Sequence, residues 1–238
     1  MTFEEAKKHL CNRKLNSDYS DIANNDLFSN EDLGEWINQG VLKAWDYKFW
    51  DFAEEKVTGT TSGATLAYPQ NLKSEMVFLL RIDGKRYVKK NFQDFLGLLE
   101  DWPSLTDKIW AEYKRTIYLN TNAFTVGQSY ELYGKGVAPK LSSAGDLLPF
   151  SPDTDDKEDS GNEAIVLLAY AEALDSEKKK EYAQAEIERK KAYQMLDLVW
   201  KPYAEARAAA QIDRPMFDVP DFLNTNKNSA QYTGNFNL

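Results

Sequence analysis

Apolar residues recur at helical spacing in the first and last thirds of the chain and at alternating spacing between them. Phe3, Ala6 and Leu10 fall on one face and predict a short helix over 3–10. A polar stretch from Asn16 to Asn25 follows. Ser29-Asn30-Glu31-Asp32 then carries a helix-start signature, a hydroxyl to accept from the first turn and a carboxylate to reach back. Leu33, Trp36, Ile37, Gly40, Val41, Ala44 and Trp45 continue at helical spacing, and the helix is predicted to reach Phe49 and Phe52. Its aromatic stripe (Trp36, Trp45, Tyr47, Phe49, Trp50, Phe52) reads first as core packing.

From Val57 to Tyr68 the pattern changes, and Thr58-Gly59-Thr60-Thr61-Ser62-Gly63 is read as a turn-rich break. Glu75–Ile82 and Lys85–Lys90 are strand-like runs around Asp83-Gly84, a hairpin signal because both central residues of a type I′ turn need positive φ. Asp94–Glu100 predicts a short helix ended by Trp102-Pro103. Ile109 to Leu119 alternates like one half-buried strand, and Thr121–Gly127 reads as a turn. Tyr130–Tyr133 is a further strand, closed by Gly134-Lys135-Gly136.

The last third returns to helix. Pro149–Ser160 is an acidic loop, and Ser160-Gly161-Asn162-Glu163 is a second capping candidate before Ile165, Leu168, Ala169 and Leu174. Asp175-Ser176 punctuates, and a charged helix follows from about Glu177 to Trp200, where Lys201-Pro202 should kink or stop it. Beyond it Pro215 and Pro220 block helix, yet Met216, Phe217, Val219, Phe222, Leu223, Tyr232 and Phe236 recur without a period. Such a stretch cannot bury its apolar residues on itself, which favours an arm that orders on a neighbouring subunit or partner over a frayed terminus. The fold class expected is α+β: a helical bundle from 1–56 and 145–210, an inserted small antiparallel β-domain over 57–144, and an extended C-terminal arm over 211–238.

Composition narrows the function classes. The 238 residues are 42% hydrophobic, enough for one domain core or two small ones. No apolar run approaches the ~20 residues of a membrane span, and Met1–Glu5 has neither the basic flank nor the apolar core of a signal peptide. A single cysteine, Cys11, and a single histidine, His9, exclude an internal disulfide and leave no ligand set for a transition metal. The net charge of −9 argues against phosphate binding by the average surface, which needs clustered Lys and Arg. The basic run Lys85-Arg86-Tyr87-Val88-Lys89-Lys90 reads as a solvated hairpin arm before it reads as a DNA or partner contact.

Catalytic signatures are missing from the sequence: no phosphate-binding loop, dinucleotide fingerprint, metalloprotease motif or serine elbow occurs. His9 and Cys11, two residues apart, face different sides of a helix. The acidic run Asp153–Glu163 departs from the order of a calcium loop, so a solvated loop is the better reading. Paired carboxylates near tryptophans, such as Glu35 beside Trp36, leave glycan hydrolysis as an enzymatic alternative. The expectation is a non-enzyme with no catalytic residues, no cofactor and no metal.

The order of segments resembles the head–tail connectors (adaptors) of tailed bacteriophages. The residues that carry the resemblance are Trp36-Ile37-Asn38-Gln39-Gly40-Val41-Leu42-Lys43-Ala44-Trp45 followed by Phe49-Trp50, and Thr58–Thr65 with Tyr68-Pro69. Met76–Gly84, Tyr113–Leu119, Gly127–Tyr133 and Leu147-Leu148-Pro149-Phe150 before the helix Asn162–Leu174 continue it, so it covers roughly 1–210. The tail 211–238 departs from it, being longer and more apolar than a minimal adaptor needs. The resemblance implies a structural protein of the virion neck, made in the host cytoplasm, that forms a ring (a dodecamer) on the portal protein. Neighbouring copies, and a tail or second ring protein below, would be its partners, and DNA would pass through without specific binding. Trp36, Trp45, Phe49 and Trp50 would pack subunits together, and Met216, Phe217, Val219, Phe222, Leu223, Tyr232 and Phe236 would grip the partner. A tail-side neck ring and a virion-associated peptidoglycan hydrolase are the alternatives.

Overall fold

A computed structural model describes residues 1–25, 27–151 and 160–213, the stretch 202–213 by its backbone alone. Its elements in chain order are α1 (Phe3–His9), α2 (Asn30–Tyr47), β1 (Glu54–Thr60), β2 (Thr65–Ala67), β3 (Leu72–Ile82) and β4 (Lys85–Lys90). They continue with α3 (Phe92–Asp101), β5 (Ile109–Tyr113), β6 (Thr116–Leu119), β7 (Ser129–Gly136), α4 (Ser160–Asp175) and α5 (Tyr182–Asp213). The protein is therefore mixed α+β. It divides into two compact units, one from Met1–Phe52 with Ala138–Ala208 and one built on Ala53–Val137.

In the first unit, the polar residues at helix starts do the local work. Ser29 accepts from the Asp32 N–H while Asp32 accepts from the Ser29 N–H at 2.8 Å, which closes the predicted capping box. Thr2 and Glu5 form the same box on α1, a T-x-x-E signal that was there to be read. α2 ends at Tyr47, short of the predicted Phe52, because Lys48 is extended and the chain turns back on itself. That turn drops Trp50 into the core, where its indole N–H donates to the Ala44 carbonyl at 2.8 Å and its ring meets Phe150 and Trp200 edge-on.

α4 is the centre of this unit. Ala164 through Ala169, Ala171, Ala173 and Leu174 are all buried, so the helix is apolar over most of its surface and belongs to the interior, with Glu163, Glu172 and Asp175 as its charged exceptions. α2 crosses it so closely that a Cβ on Gly40 would stand 2.5 Å from the Ile165 carbonyl oxygen. Ser160 lies inside the first turn of α4, where a cap was predicted, and Glu163 faces outward to Lys14 (2.8 Å) and His9 (3.3 Å). Beside α4 the charges are paired: Arg189 of α5 bonds both Glu172 (3.1 Å) and Asp175, and Lys43 of α2 shares Glu172. The α5 backbone continues as helix through position 202, where a kink or stop was expected, so the stop does not occur.

The second unit is a seven-stranded sheet in the order β1-β7-β3-β4-β5-β6-β2. Laid flat, its outer strands would be about 29 Å apart. β1 and β2 are consecutive in the chain, joined by Thr61–Ala64, a link that spans at most about 17 Å. The sheet must therefore curl, and Leu66, Leu72, Leu80, Ile82, Trp110, Ile117 and Leu132 fill its inside. The pairing is antiparallel except between β4 and β5, which α3 connects as a crossover, so the expected all-antiparallel domain is in fact mixed. Two further expectations are corrected. Thr58-Gly59-Thr60 belongs to β1 and pairs with Glu131, Tyr130 and Ser129, so it is strand and not a turn. The alternating run Ile109–Leu119 is two strands, because Lys114 and Arg115 both take positive φ (47° and 57°) and reverse the chain. A two-residue turn preserves the period of two, so alternation alone could not reveal it. The predicted Asp83-Gly84 turn has φ of 52° and 70°, as the type I′ reading requires.

Candidate functional site

The second unit has an opening where its sheet parts. β4 pairs with β3 only over Lys85–Tyr87 and then turns to β5 through Val88, Lys89 and Lys90. β3 in turn shifts register against β7 between Leu72 and Val77, with Glu75 held at φ 65°. Opposite that bulge stands Gly134, where a Cβ would lie 3.1 Å from the Met76 carbonyl oxygen; the strand glycines read as closing β7 are instead inside it, admitting the bulge.

Side chains close the gap that the ladder leaves. Glu112 of β5, its side chain 2% exposed, accepts from the Glu75 N–H with one oxygen and from the Lys89 ammonium with the other, at 2.9 Å. Lys89 also donates to the Val77 carbonyl at 2.7 Å and lies 5.1 Å over the Trp110 ring. Tyr68 donates its hydroxyl to the Lys73 carbonyl at 2.6 Å, and Arg115 lies 5.7 Å over its ring. Burial first, and then the negative charge of Glu112, push the Tyr68 phenol above its ordinary range, so it stays a neutral donor.

Around this polar floor the rim is aromatic and apolar. Phe92 stacks on Tyr113 with ring centres 4.3 Å apart and planes within 4°. Lys114 lies 5.2 Å over Tyr113, and Lys90 stands exposed beside the pair. Leu96 of α3 and Tyr113 are 40% and 42% exposed. Phe92, Tyr113, Leu96 and Lys90, with Lys89, Glu112 and Glu75, bound a groove of about 580 Å³, in the range of ligand and peptide sites, at the mouth of a curled sheet where such sites recur. The basic arm is thus more than a solvated surface, since Lys89 turns inward to Glu112. Lys89 and Glu112 are committed to each other and to the backbone, and the rest of the lining is Phe92, Tyr113, Leu96 and Lys90 together with the exposed polar residues Glu75, Asn91 and Gln93.

The other predicted positions lie elsewhere. Trp45 and Trp50 are 8% and 0% exposed inside their own unit. Trp36 and Phe49 are half-buried, Trp36 packing 6.0 Å from Phe28. Glu35 is exposed on α2. His9 pairs with Glu163, and burial lowers its imidazole pKa against the opposing pull of that carboxylate. Cys11 is buried, donates to the Ser17 carbonyl at 3.3 Å, and has its thiol pKa raised by burial, so the two form no dyad. Met216, Phe217, Val219, Phe222, Leu223, Tyr232 and Phe236, and the acidic run over 152–159, lie outside the described residues. Among the described residues no group of three or more His, Cys, Asp or Glu could hold a metal ion, and no helix is long and apolar enough to cross a membrane. Sequence reading missed the mouth itself, because Glu112, Lys89 and Glu75 are far apart in the chain and no local pattern announces a bulge. No protein-family model matches the chain, and no curated protein matches it.

Proposed function

We propose that the chain is a structural, non-enzymatic protein of the tailed-phage virion neck, a head–tail connector that forms a ring on the portal and lets DNA pass. In this reading the two ends of the chain form a helical bundle, the β-domain is inserted between them, and 211–238 is an arm. The observation that carries the binding role is the mouth of the curled sheet, where Glu112 accepts from Lys89 and from the Glu75 backbone N–H beside an aromatic rim that carries Lys90. A site whose polar groups are already paired is built to be covered by a partner. The ordered resemblance across roughly 1–210 supplies the virion context, and Trp36, Trp45, Phe49 and Trp50 are its candidates for subunit packing, Trp36 and Phe49 being the half-buried ones. The partners would be the portal, neighbouring copies and a tail-side protein.

Mass photometry of the purified protein, alone and mixed with portal rings of the same phage, tests this. A ring-sized species that appears with the portal is expected. A protein that stays monomeric and never binds the portal overturns the reading, and clearing of cell walls in a zymogram would replace it with hydrolysis.

A further inference from the structure

We infer that the mouth of the curled sheet is the docking site for the segment 215–223 of a neighbouring copy of this chain. The inference rests on the ring reading above and gives that ring its contact. Three complementarities lead to it.

The first is apolar. Leu96 and Tyr113 are 40% and 42% exposed, and with Phe92 they make one ledge beside the groove. The segment reads Pro215-Met216-Phe217-Asp218-Val219-Pro220-Asp221-Phe222-Leu223, with five large apolar side chains in nine residues. A groove of about 580 Å³ takes a few such side chains and no folded domain.

The second is the pairing of proline with stacked rings. Proline-bearing extended segments dock in aromatic-lined grooves, because their restricted φ leaves little chain entropy to lose and the pyrrolidine lies flat on a ring. Pro215 and Pro220 bracket the segment, and the Phe92–Tyr113 stack provides the ring face.

The third is charge. Asp218 and Asp221 are the only ionisable residues of the segment. Lys90 lines the groove and Lys114 lies 5.2 Å over the Tyr113 ring; both are exposed and neither has an ion-pair partner among the described residues, while the one exposed acidic residue in the lining is Glu75. Lys89 does not contribute, being held by Glu112.

The segment begins two residues after Asp213, and the ten residues from 214 to 223 extend at most about 35 Å, so it docks within that distance of the end of α5. A closed ring also needs two different faces on each copy, and a mouth and an arm are such a pair.

The test is a titration of the full-length protein into a labelled peptide of residues 211–226, followed by fluorescence anisotropy. Saturable binding that weakens with salt is expected. Leu96→Asp combined with Lys90→Glu, both on exposed side chains, should weaken it about tenfold or more. A second peptide with Phe217→Ser and Phe222→Ser is expected to lose binding to the unaltered protein, a result that no misfolding of the receptor can imitate. Absence of saturable binding, or equal binding by both peptides, overturns the inference.

A photo-cross-linking residue at position 222 of the full chain, in a mixture of isotopically heavy and light copies, identifies whose mouth is filled. Heavy-to-light links into 90–96 or Tyr113 are the expected product. Links confined to one isotope mean that each chain fills its own mouth, which overturns the exchange. Rings on the portal in mass photometry without these links would leave the ring reading standing and the docking refuted; links without rings would do the reverse.

Discussion

α4 and α3 are both short helices rich in leucine, and they use it in opposite ways. α4 buries side chains around most of its circumference, from Ala164 to Leu174, between partners from its own unit. α3 buries Phe95 against Ile109 and Ala111 and leaves Leu96 on its other side, with Trp102 just beyond its end 65% exposed. The difference teaches where to look for function. A helix enclosed by its own unit explains why that unit folds, whereas a helix with apolar surface left over marks where something else is to be placed.

Substitutions can break this contrast or sharpen it. The largest effect is expected at Leu168→Ala, in the enclosed helix: about 2–5 kcal/mol of stability lost in urea denaturation, from lost burial and the cavity left behind. A loss well under 1 kcal/mol would mean that α4 is not the centre of its unit. Gly40→Val should cost about 1–3 kcal/mol or more by the same measurement, because the new side chain meets the α4 backbone, which cannot rotate away. At the mouth, Glu112→Ala strips Lys89 and the Glu75 N–H of their partner, with an expected loss of about 1–3 kcal/mol. It should also weaken the peptide binding described above, since the bulge is no longer held.

Acid should act on the helical unit through Asp32. Lys178 first, and then the Ser29 backbone N–H, hold its carboxyl below the ordinary 3.8. A depressed carboxylate contributes stability above its unfolded pKa and loses it as the pH falls through the folded value. Denaturation midpoints should therefore decline below about pH 4, and Asp32→Asn should flatten part of that decline. The smallest stability effect is expected at Leu96→Asp, within about 0.5 kcal/mol, because the side chain is already in water. A substitution that leaves stability alone and removes binding would make the contrast between the two helices complete.

Much of the first unit was legible because its signals are local. The Ser29 box, the stripe from Leu33 to Trp45 and the apolar run of α4 are decided by neighbours within a turn or two. The Asp83-Gly84 hairpin is legible for the same reason, since positive φ at both residues is written into their chemistry. The hairpin at Lys114-Arg115 was not: neither residue prefers positive φ, and the strands on either side impose it by pairing Trp110 with Leu119 and Tyr113 with Thr116.

By itself, then, the sequence determined most of the helices and the Asp83-Gly84 hairpin, that helical ends flank a β-rich middle, and that cysteine and histidine chemistry is scarce. Only the tertiary structure decided that Trp50 is interior, that β4 leaves β3 for β5, and that Glu112, Lys89 and Glu75 meet at a bulge. The physical reason is range. Capping, periodicity and turn propensity act over a few residues, while closure of a sheet and the pairing of a buried carboxylate bring together residues that only the whole fold makes neighbours.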